Sequence, residues 1–191
     1  MDILKLIKKD HDEAFETIEK LEKMTDSPSH NAEKMTQEFA IAVLLHAKSE
    51  EKGLYEMIES EKEDFKDFTL EGFIEHSLVE NTLKRLLSVK PGGNGEFKAA
   101  LTVTKELLEH HAKEEEEEEL FPKIKKNFSA EERDQMGQLM LAAKEKFRPE
   151  IEKMILNQTT LNGKAPAKGK TKMPLAAVKK SPAKSKESRL Q

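Results

Sequence analysis

The sequence predicts an all-α protein, an up-down-up-down four-helix bundle with an additional C-terminal helix and a disordered basic tail. Three observations carry this. Apolar residues recur at alternating steps of three and four along five segments, the spacing of one helical face. No strand-like alternation of useful length occurs. With 37% charged residues, 5% aromatic and no Trp, the composition suits helices with solvated outer faces.

In the first helix, about 3–24, Leu4, Ile7, His11, Ala14, Ile18 and Leu21 share one face. Thr25 to Ser29 read as a loop by composition, His30 falls in the same loop, and Asn31 is a good N-cap for the second helix, about 32–60. That helix repeats the stripe with Met35, Phe39, Ala42, His46, Ser49 or Glu50, Gly53 and Met57. Thr69 is placed to cap the third helix, about 70–89, whose stripe is Phe73, His76, Val79 or Glu80, Leu83 and Leu86 or Leu87. Pro91 to Gly95 ends it.

The fourth helix, about 96–127, presents Phe97, Leu101, Thr104, Leu108, His111 and Glu115. Ser129 and Glu132 form a capping box for a fifth helix through Met136, Leu139, Met140, Ala143 and Phe147. Pro149 is expected to kink or restart it, and the helical signal ends near Leu161. The expected organisation is a bundle over 1–127, a helix over 128–161 packed on or extending from it, and a tail over 162–191.

The 191-residue chain carries −4 overall, divided into −12 on residues 1–161 and +8 on residues 162–191. The tail is rich in Lys, Ala, Pro and Ser without periodicity, and disorder is expected there. It offers weak binding to nucleic acid or an anionic surface by counterion release, or equally a solubilising or self-associating role. It has no aromatic residue on which bases could stack. The chain has no cysteine, which excludes disulfides, thiolate-held zinc and cysteine-ligated iron–sulfur clusters. No apolar run reaches signal-peptide or membrane-spanning length, so a cytoplasmic protein is expected.

His11, His46, His76 and His111 each fall within about three residues of the middle of their helix, roughly 5 Å. In a bundle joined by short loops they occupy one layer. A single core His is usually a hydrogen-bonded structural residue. Four uncoordinated imidazoles in one layer would leave several buried polar atoms unpaired, at about 1–3 kcal/mol each. Three of them are followed four residues on by a carboxylate, Glu50, Glu80 and Glu115, about 40° away on the same face. Four imidazoles and three carboxylates exceed what one zinc ion takes. They suit two octahedral-tending ions bridged by carboxylates, with non-heme iron favoured over manganese or zinc.

These features resemble the hemerythrin-like (HHE cation-binding) family. The matching residues are Asp10-His11-Asp12-Glu13, His46 with Glu50-Glu51, Glu75-His76 with Glu80, His110-His111 with Glu114-Glu115, and Glu119-Leu120-Phe121-Pro122. The resemblance covers about residues 1–127. It implies a four-helix bundle around an oxo- or hydroxo-bridged di-iron centre that binds a small diatomic ligand or peroxide. By that resemblance His11 and His46 bind one iron, His76 and His111 the other, and Glu50 and Glu115 bridge.

Two departures matter. Oxygen-carrying hemerythrins place two His four apart on the third helix, where this chain has His76 and Glu80. A Glu80 ligand would favour the ferric state, pointing to sensing or redox chemistry with oxygen, peroxide or nitric oxide rather than reversible carriage. Second, the six consecutive glutamates 114–119 leave the helix-four ligand open. Glu115 has the i+4 spacing, Glu116 needs a longer one through a π-bulge, and Glu114 pairs with His110 in a shifted register. Tyr55 reads as ordinary packing, or as a residue at the edge of the metal layer. Glu-x-x-His motifs, HExxH, Walker A, GxGxxG and GxSxG are absent, and no nucleophilic triad is evident. The second reading is a non-catalytic scaffold or nucleic-acid-associated protein acting through its tail.

Overall fold

The computed structural model describes residues 1–26, 30–61, 65–93 and 95–164; the expected tail lies, from residue 165 on, outside the described residues. Five helical rods account for most of the described residues, and no strand occurs among them. The first, α1, is Ile3–Glu22. The second, α2, begins as His30–Glu50 and passes through a π-helical turn, Glu51–Tyr55, into Glu56–Glu61. The third, α3, is Lys66–Ser88. The fourth, α4, begins as Glu96–Glu109 and continues as a π-helical stretch, His110–Leu120, into Phe121–Asn127. The fifth, α5, is Ala130–Lys164.

Successive rods α1 to α4 pack as neighbours and α4 returns to α1, which closes a four-helix bundle. α5 lies along α1 and α2. Its Met136, Met140, Ala143, Ile151 and Ile155 are buried, so it belongs to the same packed body. Gly53 in the π-turn of α2 permits this contact, since a Cβ there would lie 2.6 Å from the Met140 backbone nitrogen.

The ends of the rods correct several expectations. α2 starts at His30, not after an Asn31 cap, so His30 is the first helical residue and remains exposed. α3 starts one turn before Thr69, and the buried Thr69 instead donates from Oγ1 to the Lys66 carbonyl at 3.0 Å. α5 runs unbroken through Pro149. The carbonyl that Pro149 cannot bond belongs to Glu145, on the exposed face where water can satisfy it. The capping box forms: Ser129 N donates to Glu132 Oε2 at 2.7 Å and Glu132 N to Ser129 Oγ at 3.2 Å.

The interior holds two apolar cores. One gathers Ile18, Phe39, Leu83, Leu86, Phe97 and Leu101 with Ile151 and Ile155 of α5. The other gathers Ile3, Ile7, Leu54, Ile58, Leu120 and Ile124 with Met136 and Met140. Between them lies a buried polar layer formed by His11, His46, Glu50, His76, His111 and Glu116. A layer of that composition inside a bundle calls for an explanation, because buried ionisable groups are costly unless paired or bound to metal.

Candidate metal centre

Each histidine comes from the middle of a different rod, and the four form two pairs. The rings of His11 and His46 are 4.9 Å apart between centroids, and those of His76 and His111 are 4.7 Å apart. The outer nitrogen of every ring meets a carboxylate. His11 Nδ1 lies 3.0 Å from Glu117, His46 Nδ1 2.9 Å from Asp10, His76 Nδ1 3.1 Å from Glu51 and His111 Nδ1 2.7 Å from Glu75. An ionised carboxylate only accepts, so each Nδ1 carries the hydrogen and donates it. Orienting bonds of this kind are what metal-binding histidines use to aim Nε2.

The inner nitrogens face one another and two carboxylates. Glu50 Oε2 is 3.4 Å from His46 Nε2 and 3.6 Å from His76 Nε2, so it spans the two pairs. Glu116 does the same on the other side, with Oε2 3.1 Å from His11 Nε2 and Oε1 3.8 Å from His111 Nε2. Tyr55, fully buried, donates from its hydroxyl to Glu116 Oε1 at 3.0 Å and stacks on His76 with ring centroids 5.6 Å apart.

The residues fit a pair of cations. His11 Nε2, His46 Nε2, both oxygens of Glu50 and Glu116 Oε2 are buried without a properly angled hydrogen-bond partner. Leaving five such atoms unpaired is expensive, and all five belong to the inward-facing donor set. His11, His46 and Glu116 form one group whose donor atoms lie within 4.8 Å of one another, and Glu50, His76 and His111 form a second. Imidazole nitrogen plus carboxylate oxygen is a donor chemistry that suits iron, manganese or zinc.

The local electrostatics show how tightly the layer is coupled. Burial alone would lower the pKa of His46, but Glu50 and Asp10 beside it hold it up at about 10. His76 is likewise pulled down by burial and raised to about 8 by Glu50 and Glu51. Burial pushes the Tyr55 hydroxyl well above its ordinary value, and the Glu116 and Glu50 carboxylates push the same way. Without a cation, imidazolium protons compensate the buried carboxylates.

Of the seven residues read from the sequence as ligands, the structure brings together His11, His46, Glu50, His76 and His111, and leaves two outside. Glu80 lies on the flank of α3 and pairs with Lys84 at 2.6 Å, while Val79 takes the inner position. Glu115 faces away from the layer and meets His110 Nε2 at 3.2 Å. Burial, and next the adjoining Glu75 carboxylate, raise its pKa to about 8. The cause is the π-helical stretch that begins at His110. Hydrogen bonding from i to i+5 returns the fifth residue after His111, rather than the fourth, to the face of that His, and that residue is Glu116. The π-turn at Glu51–Tyr55 rotates Tyr55 inward in the same way.

Asp10, Glu51 and Glu75 stand in the motifs that carry the resemblance, but the sequence assigns an orienting role to none of the four carboxylates, although each adjoins an inner residue in the chain: Asp10 beside His11, Glu51 beside Glu50, Glu75 beside His76 and Glu117 beside Glu116. Each serves the histidine of the next helix round the bundle. Lys144 of α5, ion-paired with Asp10, was also missed, because nothing in its local pattern points inward.

Fold and site together define an all-α bundle with a buried histidine–carboxylate layer able to hold cations. A model of the hemerythrin HHE cation-binding domain matches residues 2–124, and the chain belongs to that family. Comparison with curated proteins and with solved structures returns no match. No helix among the described residues is long and apolar enough to cross a membrane.

Proposed function

We propose that this layer holds two iron ions and that the protein binds or reacts with oxygen, peroxide or nitric oxide in sensing, storage or stress protection. The observation that carries the reading is the symmetric placement of two buried carboxylates, Glu50 and Glu116, each between one His of the first pair and one of the second, with both oxygens of Glu50 and Oε2 of Glu116 lacking a hydrogen-bond donor. In it His11 and His46 hold one ion, His76 and His111 the other, and Glu50 and Glu116 bridge. Iron bound by two imidazoles and shared carboxylates supplies open positions for a small ligand and a redox couple.

This chain's own residues do the rest. The four Nδ1 bonds hold the rings in the tautomer whose Nε2 lone pair points inward. Tyr55 holds Glu116 in place by a hydrogen bond and stands as a proton-bearing group beside His76. The two apolar cores above and below flank the layer and hold its four helices together. Glu80 adds no charge to the layer, so the redox reading rests on the four-His, two-Glu set alone.

The test is metal analysis and an optical spectrum of aerobically purified protein. About two irons per chain with an oxo-bridge charge-transfer band is the expected result. A colourless, metal-free, stably folded protein would overturn the reading.

A further inference from the structure

A cavity of about 420 Å³ opens between α1, α2 and α5 and ends on the histidine layer, with His11, His46, His76 and His111 among its lining residues. At roughly 30 Å³ per heavy atom, the share of a water molecule in the liquid, it holds on the order of ten such atoms. A diatomic ligand or peroxide needs a small part of that. The volume instead lies in the range of pockets that bury organic ligands.

Two alanines create the space. Ala14 follows His11 by one helical turn and Ala42 precedes His46 by one, so both stand on the inner stripe where a Leu or Phe would fill the gap. Ala42 is nevertheless exposed and Ala14 half-buried, and both line the cavity. The remaining wall is largely apolar, with Phe15, Met35, Phe39, Val43 and Leu108. Lys20, Glu38 and Arg148 line it as an exposed charged rim, and the half-buried ion pair of Asp10 with Lys144 also belongs to its wall.

We propose that this cavity binds a mostly apolar organic molecule of about ten heavy atoms beside the metal layer, its polar end at the charged rim. This deepens the di-iron reading by naming a second, organic ligand for the same site, and its position against the metals rests on that reading.

Octan-1-ol, an uncharged probe of matching size, tests it by calorimetric titration of the purified chain and of the chelator-treated chain. Saturable binding of one molecule per chain, with Kd below about 1 mM, is expected in both. With iron bound, the alcohol should also perturb the optical band. Ala42→Phe should weaken binding at least about tenfold, equal to roughly 1.4 kcal/mol, at unchanged metal content. Where Ala42→Phe impairs folding, Ala14→Leu carries the same expectation. The proposal is overturned by an absence of saturable binding or by affinity unchanged in both variants. Metal content is measured independently, so the two readings fail separately. A metal-free chain whose octanol binding still responds to Ala42 removes only the di-iron centre, and a two-iron chain that ignores octanol removes only the organic ligand.

Discussion

Tyr55 and Glu116 stand 61 residues apart in the chain, on different helices, and meet through a fully buried hydrogen bond of 3.0 Å made possible by a π-helical turn in each helix. Tyr55→Phe keeps the ring stacked on His76 but leaves Glu116 Oε1 without its donor. A hydrogen bond to a charged group contributes about 1.5–3 kcal/mol, so the metal-free variant should unfold earlier in urea by that amount. Loss of an orienting partner should also weaken metal retention by about 10–100-fold, read by competition with a chelator. Unchanged retention would mean that Glu116 is held without Tyr55.

The register of helix four is open to an equally direct comparison. Glu116→Ala should abolish most of the metal content, whereas Glu115→Ala and Glu80→Ala should leave it near that of the parent chain. Metal analysis of the three variants decides the matter; metal lost from Glu115→Ala but kept in Glu116→Ala would place the bridge in the regular i+4 register.

That comparison marks the boundary of what the sequence discloses. The stripe positions of His11, His46, His76 and His111 follow from helical periodicity, and their common layer follows from the segment midpoints. Glu50 follows because α2 is still α-helical between His46 and Glu50. Glu116 stays one of three open choices with Glu114 and Glu115, because six identical residues hide the change of helical period that the packed structure reveals. The support of each His by the next helix is a tertiary relation as well. Asp10 serves His46, Glu51 serves His76, Glu75 serves His111 and Glu117 serves His11, once round the bundle. Chain adjacency places these acids near the layer but cannot say which ring they reach.

The fifth helix lies beyond the residues matched by the family model, yet the core depends on it. Met136, Met140, Ile151 and Ile155 are each buried, at about 1.5–3 kcal/mol per side chain. Their sum is comparable with the whole stability of an ordinary domain. Arg133 also binds Asp2 at 2.9 Å, and Lys144 pairs with the Asp10 that orients His46. A chain ending at Asn127 should therefore lack a cooperative thermal transition. A chain ending at Lys164 should melt like the full-length protein. A stable, cooperative 1–127 fragment would show that α5 is accessory.

The pH response separates the metal-free and metal-bound states. In the metal-free protein burial works against a charged His46, but Glu50 and Asp10 prevail and raise its pKa from 6.5 to about 10. A raised folded-state pKa stabilises the fold fully below the unfolded value and loses that contribution as pH rises through the folded one. The Tm of the metal-free protein should thus fall progressively between about pH 6.5 and 10. Glu117 acts at the other end. Burial raises its pKa, but His11 and Lys113 outweigh this and hold it at about 2. Its contribution is present above the ordinary value of 4.5 and is lost as pH falls toward 2. A metal ion bound as proposed would take the place of the His46 proton, since a coordinating imidazole is neutral, so uptake should release protons and the alkaline loss of Tm should be much smaller in the loaded protein. Differential scanning calorimetry of both forms across that range checks this, and parallel alkaline slopes would mean that His46 does not exchange its proton for metal.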